Sequence, residues 1–96
     1  MENKVEKLRQ KAMELLDYDS NTGEFRWKAG IKSKMKGKIA GTPNSLGYIQ
    51  ISINNKRYLA SRLAWLITYG QWPKHNIDHI NRDRTDNQIA NLRNVS

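Results

Sequence analysis

Between Tyr48 and Gly70 the apolar residues change their period once, and that change limits the folds open to this chain. Tyr48-Ile49-Gln50-Ile51-Ser52-Ile53 reads as a β-strand, being rich in β-branched and aromatic residues. Asn54-Asn55 follows, a pair that tolerates positive φ and suits a tight turn, and Lys56-Arg57-Tyr58-Leu59 returns as the partner strand. Leu63, Ala64, Leu66 and Ile67 then recur at helical spacing until Gly70, a residue type that ends helices in the left-handed conformation. Strand, turn, strand and helix in immediate succession give a small antiparallel sheet backed by a helix.

The flanks extend this reading. Val5, Leu8, Ala12, Leu15 and Leu16 form one helical face, with Lys4, Lys7, Lys11 and Glu14 on the other and Asn3 placed to cap. Asp19-Ser20-Asn21-Thr22-Gly23 is turn chemistry between Tyr18 and Phe25, and Phe25-Arg26-Trp27 alternates as a strand does. Lys28 to Lys38, interrupted by Gly30 and Gly37, reads as a loop, with a short strand at Lys38-Ile39-Ala40 ahead of Gly41-Thr42-Pro43-Asn44. Trp72-Pro73 leads into two arms of a hairpin, around residues 77–80 and 91–95. The class is α+β: an N-terminal helix over about residues 1–17, a basic sheet-helix segment over 18–74 with a three-stranded antiparallel sheet, and a closing ββ hairpin over 75–96. With no repeat and no linker, the expectation is one domain over residues 1–96.

At 96 residues the chain is near the lower size for independent stability, and it has no cysteine for a disulfide or a cysteine-zinc site. Packing must hold it, and the three Trp and four Tyr supply large apolar faces, so Trp65 and Trp72 read as core. No apolar run approaches the roughly 20 residues of a membrane span, and Met1-Glu2-Asn3-Lys4 does not open a secretory signal. A soluble intracellular protein is the expectation. The net charge is +8, and its placement is uneven: from Phe25 to Ile77 there are ten Lys or Arg and no acid, while all nine acids lie outside. Such a one-signed block suits a polyanion, nucleic acid above all.

Ile77-Asp78-His79-Ile80-Asn81, then Arg84-Thr85-Asp86-Asn87, then Asn91-Leu92-Arg93 stand in order near the end of the chain. This set resembles the Asp-His…Asn…Asn form of the HNH, or ββα-metal, endonuclease motif of the phage and homing type. The resemblance continues upstream through Tyr48–Ile53, Lys56-Arg57-Tyr58, Arg62-Leu63-Ala64-Trp65 and Gly70-Gln71-Trp72-Pro73, and reaches Leu16-Asp17-Tyr18-Asp19 and Thr22–Trp27. It departs at Ser61, where relatives usually carry His; Ser there also suits a helix cap.

The resemblance implies roles. Asp78, a hard oxygen donor, would bind a divalent metal, magnesium if the chain is active; otherwise no cofactor is implied. His79 would be the general base, and Asn91 would accept from its other ring nitrogen and fix the tautomer. In the family pattern a second metal ligand falls about nine residues beyond Asn91, on a helix that follows the hairpin. That position lies past Ser96, so weak or lost cleavage is expected of these residues. Asp86 and Asn87 read as loop residues bonding within the hairpin, and His75 as a surface residue. Lys28, Lys32, Lys34, Lys36 and Lys38 would form a phosphate-facing loop, with Lys56, Arg57 and Arg62 beside it and Arg82 and Arg84 near the hairpin. The implied partner is DNA or RNA, in the cytoplasm of a bacterial host if the chain is a phage protein. A second class stays open: a non-catalytic, anti-CRISPR-like inhibitor that binds a host nucleic-acid-handling or defence complex.

Overall fold

The computed structural model describes residues 3–28 and 35–95. Asn3 opens helix α1 (Lys4–Leu15) as its cap, the Oδ1 atom accepting from the Glu6 backbone N–H at 2.7 Å. The helix ends before Leu16, which turns extended and begins strand β1 (Leu16–Tyr18). Strand β1 pairs antiparallel with β2 (Phe25–Trp27), setting Leu16 opposite Trp27 and Tyr18 opposite Phe25. Helical spacing misplaced Leu16 because it points into the core from either conformation; it is buried here as a strand residue.

Strands β3 (Thr42–Pro43), β4 (Ile49–Ile53) and β5 (Lys56–Leu59) form the three-stranded antiparallel sheet in the order β3-β4-β5. Its edge strand lies at Thr42–Pro43, where no strand was expected, and an edge is where proline is tolerated. The strand expected over residues 38–40 is a single bridge between Ile39 and Arg26. Asn54 and Asn55 turn the β4–β5 hairpin with φ of 52° and 67°. Within the hairpin Ile51 faces Tyr58 and Ile53 faces Lys56 on one side of the sheet, while Ser52 faces Arg57 on the other.

Strand β5 runs directly into helix α2 (Ala60–Tyr69), which ends at Gly70 in the left-handed conformation, the Gly70 N–H donating to the Leu66 carbonyl at 2.8 Å. Ser61 does not cap this helix. Leu59 occupies the capping position because β5 reaches it without a loop, and Ser61 lies buried in the first turn. Helices α1 and α2 pack together, with Ala12, Ala60 and Ala64 all fully buried. Arg9 of α1 donates to the Ile67 carbonyl, setting a cation near the C-terminal end of α2, where the helix dipole favours it.

Ile51, Leu63 and Leu66 are the largest fully enclosed side chains, each contributing about 1.5–3 kcal/mol by burial. Trp65 and Trp72 are half-buried against this core, consistent with a packing role. Strands β6 (Asn76–His79) and β7 (Leu92–Val95) form the closing hairpin, with a short 3-10 turn at Ile89–Asn91 before β7. Among the described residues no helix is long and apolar enough to cross a membrane.

Candidate functional site

Pairing of β6 with β7 sets Asp78 opposite Arg93 and His79 opposite Leu92. Adjacent strand residues point to opposite faces, so the two motif residues separate: His79 turns inward and is 5% exposed, while Asp78 turns outward. The His79 Nε2 atom lies 2.9 Å from the Asn87 Oδ1 atom, and Asn87 is itself buried. An amide oxygen only accepts, so the ring donates through Nε2, and a neutral ring donating there would carry its lone pair on Nδ1. The bond expected of Asn91 is therefore made by Asn87.

Asn91 closes the loop instead. Its Oδ1 accepts from the Asn81 backbone N–H at 3.0 Å, and its Nδ2 donates to the Asn81 Oδ1 at 3.0 Å and to the Asp86 carbonyl at 2.9 Å. Asp86 accepts from the Asn81 side chain at 2.8 Å and from the Gln88 backbone N–H at 3.2 Å, as expected of a loop residue. Asp83 accepts from both the hydroxyl and the backbone N–H of Thr85, which hold its carboxyl below the usual range. These bonds fix a loop that would otherwise carry many open polar groups.

Asn87 is anchored from the other end of the chain. The Tyr18 hydroxyl of β1 donates to the Asn87 carbonyl at 2.5 Å, and partial burial pushes the Tyr18 phenol well above its ordinary range, with the Asp19 and Asp86 charges adding to it. The Ile89 N–H donates to the Ser20 carbonyl at 3.2 Å. Gly23, at φ 79°, sits directly under this segment: a Cβ there would lie 2.4 Å from the Gln88 nitrogen and 2.5 Å from the Asn87 carbonyl carbon. The β1–β2 turn is thus the floor on which Asn87 rests.

Beside the imidazole runs a cleft of ≈ 220 Å³ lined by Tyr48, Ile77, Asp78, His79, Arg82 and Arg84. The Tyr48 and His79 rings are 6.0 Å apart, and the Arg84 guanidinium stacks 4.8 Å over Tyr48 while donating to the Leu46 carbonyl. Arg82 holds a left-handed φ of 65° in the turn that follows His79, its N–H donating to the His79 carbonyl at 2.9 Å. Ser61 borders a neighbouring hollow that shares Tyr48 and Ile77 with this cleft.

Among the described residues, the other basic residues singled out from the sequence do not all share one face. Lys56 and Arg57 point to opposite faces of the sheet. Arg62 lies 5.7 Å from the centre of the Trp72 ring and donates to the His75 carbonyl at 3.3 Å. His75 is exposed, as a surface residue should be. The Lys28 ammonium donates to the Met13 carbonyl and lies 3.9 Å from Asp17. Lys36 and Lys38 are exposed, and Lys32 and Lys34 lie outside the described residues.

Residues 58–96 match the model of a family described as HNH endonuclease. The match holds Asp78, His79, Asn87 and Asn91, whereas Tyr18 and Gly23, which support Asn87, lie outside it. No curated protein and no solved structure matches the chain. The family is one that uses a divalent ion, but the described residues do not fit a closed site for it. Among them no group of three or more His, Asp or Glu side chains is placed to hold a metal. Among the described residues Asp78 is the one carboxylate lining the cleft, and its Oδ2 accepts from Arg93 at 2.7 Å. Both side chains are substantially exposed, so this ion pair adds little stability. A hard cation such as magnesium needs several oxygen donors.

Proposed function

We propose that this chain is a nucleic-acid-binding protein of the phage HNH homing-endonuclease type, one unit over residues 1–96, working in the bacterial cytoplasm, with cleavage weak or lost. The observation that carries this reading is the shared cleft: Arg82 and Arg84 border the same hollow as a buried imidazole held through Nε2 by Asn87. Two guanidinium groups suit a phosphodiester, and an imidazole with its lone pair on Nδ1 suits the removal of a proton from water. Asp78, the residue that would contribute to a metal site, is paired with Arg93 and has no second carboxylate beside it in the cleft. That supports binding ahead of turnover.

Titration of a labelled DNA duplex tests the binding. With about six phosphates contacted, log K falls against log salt with a slope of roughly −5. A flat salt dependence overturns the reading. The Asp78–Arg93 pair also favours a second use of the scaffold, as a non-catalytic inhibitor of a host nucleic-acid-handling or defence complex. Inhibition of such a complex by a chain that shows no salt-dependent duplex binding would select it.

A further inference from the structure

At the tip of the β4–β5 hairpin, away from the His79 cleft, the sheet and α1 enclose a groove of ≈ 320 Å³ lined by Lys4, Lys7, Leu8, Lys11, Ile53, Asn54, Lys56 and Tyr58. Lys4, Lys7 and Lys11 fall on one face of α1 by their spacing, and Lys56 stands directly opposite Ile53 on the helix side of the sheet. Leu8, Ile53 and Tyr58 give the groove an apolar floor, a surface suited to lysine stems. Among the described residues no acidic one lines it. The Lys11 ammonium lies 3.6 Å from the exposed Glu14 carboxylate. Three of these lysines precede the acid-free block, so the charge pattern of the sequence did not point to them.

We propose that this groove is a second contact surface for the phosphate backbone of a DNA duplex, separate from the His79 cleft. The proposal rests on the nucleic-acid reading given above. Strand β4 runs between the two sites: Tyr48, just before its start, borders the cleft, and Ile53, at its end and on the opposite face by alternation, floors the groove. A strand rises about 3.3 Å per residue, which separates the two sites by roughly 17 Å. The chemistry favours a duplex backbone over a single strand. The aromatic ring in the groove, Tyr58, is set edge-on to Trp72 at 6.3 Å and is not a free platform for stacking bases.

The test is a salt titration of the full chain and of the triple variant Lys4→Gln, Lys11→Gln, Lys56→Gln on the same labelled duplex, with melting curves to establish that both are folded. The substituted residues are at the surface, and Gln keeps the stem length. The expected result is a slope shallower by about 2.7 in the variant, three phosphate contacts at about 0.9 each. An unchanged slope alongside normal wild-type binding overturns this inference and leaves the nucleic-acid reading intact. Absence of wild-type duplex binding overturns both. An unchanged duplex slope with loss of wild-type binding to polyglutamate would give the groove to an acidic protein segment and likewise overturn the proposal.

Discussion

Gly23→Ala lowers the melting temperature by about 12–24 °C, on the scale of about 4–8 °C per kcal/mol for a domain of this size. Two costs combine. Alanine at φ 79° is strained, by about 1–2 kcal/mol. Its Cβ would also stand 2.4–2.8 Å from backbone atoms of Asn87 and Gln88, which have no rotamer to retreat into. Either the β1–β2 turn or the 87–88 segment must move, and with it the Tyr18–Asn87 and Asn87–His79 bonds, for a total of about 3 kcal/mol. Thermal unfolding followed by circular dichroism reads this directly. A change within about 2 °C, well under the shift for one kcal/mol, would show that the turn does not support the segment.

The second large effect separates the two asparagines. Asn87→Ala leaves the His79 Nε2–H buried without an acceptor, at about 1–3 kcal/mol, and frees the ring to turn. Asn91→Ala opens the bonds that close the loop but leaves that N–H in place. In nitrogen-15 NMR spectra the wild type shows a ring N–H at Nε2 protected from exchange. The signal is lost in Asn87→Ala and retained in Asn91→Ala. The opposite pattern would return the positioning of the imidazole to Asn91.

These residues also show where the sequence was legible. The β4–β5 hairpin, α2 with its Gly70 end and the arms of the closing hairpin follow from period and turn chemistry, because each is decided within a few neighbouring residues. The motif brought Asp78 and His79 to the same strand end. The partner of His79 was not readable, since Asn87 and Asn91 have the same side chain and lie four residues apart in one loop. Which one turns inward depends on the β1–β2 turn, more than 60 residues earlier. Gly23 was readable as turn chemistry but not as a floor. The even run of positive charge likewise concealed that Lys56 and Arg57 leave the strand on opposite sides. Ser61 failed as a cap for a local reason: β5 passes into α2 with no residue between them, so the capping position falls on Leu59.

The measurement that bears most directly on the whole reading is nicking of supercoiled plasmid by the purified 96-residue chain with magnesium or manganese, at protein concentrations that saturate DNA binding. The account predicts bound plasmid and little or no metal-dependent nicking, with Asp78→Ala and His79→Ala indistinguishable from wild type, since one ion-paired carboxylate does not hold the ion for turnover. Robust nicking by the wild type, reduced by a factor of about 100 or more in His79→Ala and abolished in Asp78→Ala, would contradict it and make this chain a working nuclease.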